Sequence, residues 1–451
     1  MVSRRAYKRV KVNSIDLVSL AAVAKAEKSA VLGLDIAKGE IVACARWHSG
    51  EFERPWSIEN PMEIGDLVKI FQTLIHGGLD LKVAMESTGT YGDAVRLALT
   101  NAKIAVFRVS GKGVSDYKEI FDGVPSQHDG KDAAMIAELC SMGKGTSWPY
   151  ELASDFMAEV SFQVQRMDAF QSEYVQWHGR LEAQITRFWP ELCQYSKMSN
   201  ITTLKLLCEY GSPSAICKSD KASSQLLKLG KGKLSEARVE HIIQSAATTV
   251  GIPMNSQNVK WVQEICERVL AAGKNIAACK KQLSASLKQD TFWSQYVDAV
   301  GAGTLGAILS TVGDPRVYSS AGALLKASGL NLKERSSGKR IGEKAITKRG
   351  PSLLRRWLFF WAMRAIQRDE LSEWYLRFHS SGFGHRDRPA SHRKMKGLIC
   401  MMRKLIRSLW SSMQQGTKFE YSKVIQKTQH STRRRRKTTK PEGLAVPRKT
   451  G

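Results

Sequence analysis

Residues 31–46 read VLGLDIAKGEIVACAR, two apolar runs separated by a short polar turn. The first run ends at Asp35, Lys38-Gly39 supplies the turn, and the second begins at Ile41, a pattern that predicts a β-hairpin. Downstream, KVAMES (82–87) and IAVFRVS (104–110) read as further strands, the first ending at Glu86. DLVKIFQTLIHGG (66–78), before the first of these, and YGDAVRLALTNA (91–102), between the two, have helical periodicity. The order strand, strand, helix, strand, helix, strand defines an α/β domain. Functional groups in such sheets gather at strand ends, and Asp35 and Glu86 both stand there.

The chain has 451 residues, of which 43% are hydrophobic, enough for several packed cores. Its 69 Lys and Arg outnumber 42 Asp and Glu, giving a formal net charge of +27. Such an excess points to a polyanion, because each phosphate neutralised by a side chain releases condensed counterions. No apolar run of membrane-spanning length accompanies it, so nucleic acid is favoured over a lipid surface. The eight cysteines are scattered without a C-x-x-C pair, which fits reduced thiols and a cytoplasmic, nucleoid-associated location.

Five segments are expected: a basic extension (1–28), the α/β domain (29–150), a coiled-coil region (151–292), a helical domain (293–420) and a basic disordered tail (421–451). In the third, Phe156, Val160, Met167, Phe170, Tyr174, Trp177, Leu181 and Phe188 form a seam with a polar gap at Gln163, ended by Pro190. A second seam runs Val262, Ile265, Val269, Ala272, Ile276, Cys279, Leu283. The two could pair within one chain or between subunits, with residues 191–256 an elaboration at the tip. In the helical domain, Gly301 and Gly303 read as a tight turn of helix-hairpin-helix type, or as a plain αα-turn. The stretch LKERSSGKRIGEKAITKRG (332–350) reads as a basic loop, and Arg355 and Arg356 on the next helix are candidates to reach phosphates.

The segment SQHDGKDAAMIAELC (126–140) places Asp129 and Asp132 three residues apart at a helix start, facing one side. Alone, such a pair is ordinary capping. Together with Asp35 and Glu86 at strand ends it makes four hard oxygen donors, which suit Mg2+ and phosphate oxygens.

Three elements, GLDIAKGEI (33–41), AMESTGTYG (84–92) and DGKDAAMIAEL (129–139), resemble the D-E-D-D signature of transposases of insertion-sequence family one-ten. That family includes the Piv-like invertases and the recombinases guided by a bridge RNA. The residues from Val300 to Arg340, with ITKRGPSLLRRWLFFWA (346–362), resemble its second, serine-bearing domain. The resemblance implies a RuvC-like domain of RNase H fold that holds Mg2+, or Mn2+, on Asp35, Glu86, Asp129 and Asp132. It also implies a nucleophilic serine at Ser337, just before Gly338, with Ser336 the adjacent alternative. Activation of a serine needs a base or a metal, and no His or Asp lies beside it in sequence.

Lys333, Arg335, Lys339, Arg340, Lys344, Lys348 and Arg349 would then neutralise phosphates near the cut. The implied partners are target and donor duplex DNA, a noncoding guide RNA, and further copies in a homodimer or homotetramer. The chain departs from the family pattern in having Gln127-His128 where Lys-Thr is usual, and in lacking a proline before Gly301. Two other functions compete: a RuvC-like nuclease acting by hydrolysis, and an inactive nucleic-acid scaffold.

Overall fold

The computed structural model describes residues 8–87, 89–122, 128–232, 234–337, 340–380 and 390–425. The chain divides into two compact units, 1–152 and 153–451.

The first unit contains β1 (Val10–Lys11), α1 (Leu17–Glu27), β2 (Ser29–Ile36), β3 (Glu40–Trp47), β4 (Trp56–Glu59), α2 (Ile64–His76) and β5 (Asp80–Glu86). It continues with α3 (Asp93–Asn101), β6 (Ala105–Val109), α4 (Gly111–Asp122), α5 (Asp129–Leu139) and β7 (Thr146–Ser147). The strands form one mixed sheet in the order β1-β4-β3-β2-β5-β6-β7. The β2–β3 hairpin is antiparallel, with Asp35 opposite Val42, and β5 runs parallel to β2 with Gly33 beside Ala84 and Leu34 beside Met85.

Alternation along these strands divides the side chains between two cores. Leu32, Leu34, Val83 and Met85 join Leu67 and Phe71 of α2 and Val95 and Leu99 of α3. On the opposite face, Val42, Cys44, Ala84 and Val109 meet Val114 of α4 and Ala133, Ala134 and Ile136 of α5. Helix α5 can lie this close because of Gly33. A Cβ at that residue would stand 2.0 Å from the Ala133 carbonyl oxygen and 2.6 Å from the Ala137 nitrogen.

Three features of this unit differ from the sequence reading. The segment 1–28, taken as an extension, is in its described part folded into the sheet: β1 pairs with β4, and Val12, Leu20 and Ala24 are buried. Strand β4 is too short for its periodicity to be read. Helix α4 was not read at all and lies between β6 and the helix that the aspartate pair opens; its Val114, Tyr117 and Phe121 follow helical spacing onto the same core.

In the second unit, α6 (Asp155–Phe188) and α12 (Ser256–Gln289) are each 34 residues long. Val160, Val164 and Met167 share a core with Ile276, Cys279, Leu283 and Leu287. Leu181 and Ile185 meet Val262, Ile265 and Val269 at the other end, so the pair is antiparallel within one chain. Between them come α7 (Pro190–Tyr195), α8 (Ile201–Tyr210), α9 (Pro213–Cys217), α10 (Ala222–Gly230) and α11 (Glu236–Ala247), packed at the tip. Pro190 closes the seam as read, sitting at the first turn of α7. The polar gap is buried: Gln163 is 4% exposed, donates from Nε2 to Glu159 at 2.8 Å, and leaves its Oε1 without a hydrogen bond.

The chain then forms α13 (Thr291–Val300), α14 (Ala302–Val312) and α15 (Ala321–Ala327), followed by the strands β8 (Leu332–Ser337) and β9 (Arg340–Ile346). Helices α16 (Ser352–Ala365), α17 (Asp369–Ser380) and α18 (Ala390–Gln414) follow. A 3-10 turn at Tyr421–Ile425, expected as the start of a disordered tail, buries Val424 in the core of these helices. Trp293, Tyr296, Leu305, Leu358, Trp361, Met401 and Leu405 make a common core with the base of the long helical pair. The stretch expected as a loop is therefore an antiparallel ribbon, a β element in a region expected to be all helical. Its register sets Glu334 opposite Lys344 and Arg335 opposite Glu343. Glu334 and Lys344 carry opposite charges at facing positions, an arrangement that favours an antiparallel pair, and such a signal carries no hydrophobic alternation for a sequence reading to find. No helix among the described residues is long and apolar enough to cross a membrane.

Candidate active site

Period-two alternation and parallel register together build the acidic cluster. Asp35 lies one residue beyond Leu34, and Glu86 one residue beyond its partner Met85, so the two carboxylates are neighbours at the same edge. Both point to the face that α5 covers, since Gly33 and Ala84, two residues earlier, do. Contact between Gly33 and Ala133 brings the N-terminal turn of α5, with Asp129 and Asp132, to that edge.

The electrostatics record this convergence. Burial pushes the Asp35 carboxyl up to about 6, and the charges of Asp132 and Asp129 push the same way against the pull of Lys118. Glu86 is also raised, by burial first and then by Asp35 and Asp132. Helix α4 starts against this cluster, where Gly111 leaves room: a Cβ there would lie 2.6 Å from Glu86 Oε2.

Two cations that sequence reading did not single out sit on the aspartates. Lys118 of α4 ion-pairs with Asp132, and Arg9 bridges Asp129 and Glu40, the latter at 2.6 Å. Nothing in the sequence separates these two from the other cations, because their role comes from how α4 and the N-terminal segment pack. Among the described residues no three Asp, Glu, His or Cys side chains close as a ready-made metal cage. The donor set nevertheless fits a hard divalent cation. Its ligands are all carboxylate oxygens, they repel one another, and Asp132 Oδ1 already holds a cation, the Lys118 ammonium, against the cluster.

The remaining candidates lie in the second unit. Ser337 ends β8; its side chain, with those of Ser336, Arg335, Arg340 and the rest of 335–343, lies outside the described residues, as do Gly338 and Lys339 altogether. Lys333, Lys344, Lys348 and Arg349 are exposed. Gly301, at φ +89°, makes the turn between α13 and α14, where Arg364 caps the Val300 carbonyl at 2.8 Å. Gly303 is not part of that turn. It is buried within α14 under the Trp357 indole, where a Cβ would come within 2.5 Å, so its small size serves helix packing. The two arginines expected to reach phosphates are engaged internally: Arg355 donates to the Gly350 carbonyl at 2.5 Å, and Arg356 pairs with Asp168 of α6.

A mixed sheet with acidic groups at adjacent strand ends, followed by a helical region, is consistent with an RNase H-like DEDD domain carrying a helical partner. A DEDD transposase model of the IS110 type matches residues 32–190, and the model described as Transposase IS116/IS110/IS902 family matches residues 295–377. The chain is similar to the Insertion element IS110 uncharacterized 43.6 kDa protein of Streptomyces coelicolor, 24% identical over 72% of this chain and 80% of that one. It is also similar to the Insertion element IS116 uncharacterized 44.8 kDa protein of Streptomyces clavuligerus, 24% identical over 85% of this chain and 94% of that one. The chain belongs to the IS110 family of transposases.

Proposed function

We propose that this transposase cuts and rejoins DNA through a covalent phosphoserine link on Ser337, assisted by Mg2+ held on Asp35, Glu86, Asp129 and Asp132. The observation that carries the reading is the convergence of those carboxylates at one sheet edge, where burial and mutual repulsion raise Asp35 to about 6. A cluster kept under such repulsion is poised for a divalent cation. When bound, that ion stabilises the charge building on phosphate oxygens at the cut. The Ser337 hydroxyl attacks phosphorus, one serine O–P bond forms, one backbone P–O bond breaks, and the departing sugar leaves as a free hydroxyl. Attack by the hydroxyl of another strand reverses these steps, so rejoining needs no nucleotide cofactor.

The exposed cations Lys333, Lys344, Lys348 and Arg349 would hold the strand around the serine. Guidance by a noncoding RNA that pairs with target and donor DNA, and work as a homodimer or homotetramer, belong to the same proposal. The net charge of +27 supports a large nucleic-acid load. Labelled DNA incubated with protein and Mg2+, then denatured, tests the chemistry. The wild type and Ser336→Ala should carry a covalent DNA adduct, and Ser337→Ala and Asp35→Asn should not. Cleavage by Ser337→Ala without any adduct would instead identify a hydrolytic nuclease.

A further inference from the structure

Helix α18 carries Arg393, Lys394, Lys396, Arg403, Lys404 and Arg407 and no Asp or Glu. At about 100° per residue, five of these cations (all but Lys394) fall within an arc of roughly 100°. The arc lies opposite the stripe Leu398, Met401, Met402, Leu405 and Leu409, which is buried in the core of the unit. A helix whose outer face is merely solvated mixes its charges. Helices α12 and α17 do so with the pairs Glu264–Arg268 and Glu373–Arg377. Helix α18 offers no acidic residue of its own for such pairs, and Arg403 is lowered by burial first and then by the charge of Arg407.

The position of the stripe gives it a purpose. Arg403 donates to the carbonyl of Leu330, two residues before β8, and so ties the stripe to the root of the basic ribbon. Lys404 lies with its Nζ 5.4 Å from the Trp374 ring centre, and Arg407 is exposed. The stripe from Arg393 to Arg407 is about 21 Å long at 1.5 Å per residue. Over that length duplex DNA presents several phosphates.

We propose that the outer face of α18 binds the phosphodiester backbone of duplex DNA alongside the ribbon, with Lys404 and Arg407 as phosphate contacts. The proposal rests on DNA being the substrate, but not on the serine or the carboxylates. It is tested by fluorescence anisotropy of a labelled duplex titrated with the full chain at several KCl concentrations. Lys404→Gln/Arg407→Gln should flatten the slope of log Kobs against log[salt] by about 2, and Arg407→Gln alone by about 1, at about 0.9 per phosphate. The loss should be alike on unrelated sequences, and Lys404→Arg should keep the wild-type slope. Arg407 is exposed, so its single variant serves if the double variant fails to fold. An unchanged slope on duplex DNA overturns the proposal, and so does a change confined to single-stranded RNA. If the wild type itself shows no salt-dependent binding to duplex DNA, this proposal fails together with the reading of DNA as the substrate. A flattened slope with no covalent adduct would leave this proposal standing and overturn only the serine chemistry.

Discussion

Gly33 carries no functional group, yet it sets the distance between β2 and α5 and thereby the position of two carboxylates on the helix and one on the strand. Gly33→Ala should cost about 3 kcal/mol, since backbone atoms rather than a mobile side chain receive the new methyl. It should also weaken binding of Mn2+, followed by electron paramagnetic resonance, although every acidic residue is intact. Wild-type Mn2+ affinity in that variant would show that α5 is positioned by something else. Lys118 works in the opposite sense, as a built-in counter-charge on Asp132. Lys118→Met should therefore lower the melting temperature of the metal-free protein by a few degrees, on the order of 1 kcal/mol. Added Mg2+ should narrow the gap to the wild type; a gap of constant size would argue against a shared place on the carboxylates.

At the scale of elements, the long helical pair is uniform except at Gln163. A buried amide with a lone oxygen costs more than it returns, while its partner Glu159 is exposed and can revert to water. Gln163→Leu should stabilise the chain by about 1 kcal/mol, read as an upward shift of about 3 °C in the melt. A fall in melting temperature would mean that the amide serves a contact beyond this seam. The ribbon shows the converse case, an element with no hydrophobic alternation along its strands. Its register sets Glu334 opposite Lys344, and its polar sequence gives no apolar period, so pattern reading took it for a loop. The α/β order, by contrast, was legible because β2, β3 and β5 each contain a buried apolar run and β6 buries Val106 and Val109. Short β4 and the N-terminal segment escaped that reading, since their apolar residues gain meaning only from the sheet they pack on.

For the whole molecule, local pattern reaches as far as the two units and the sites each can hold. Periodicity specified four of the seven strands, both long helices and an apolar seam on each, because apolar spacing is a property of neighbours along the chain. The four acidic residues were identifiable as strand-end and helix-start positions, and motif resemblance singled out the serine. That α6 folds back on α12 of its own chain was left open by sequence and is decided by matched cores at both ends. The engagement of Arg355 and Arg356 with their own fold, and of Lys118 and Arg9 with the aspartates, is likewise a tertiary fact. Sequence by itself determined which elements form and which side chains could bear chemistry. Tertiary structure alone decided which charges meet, because ion pairing depends on distances between residues far apart in the chain.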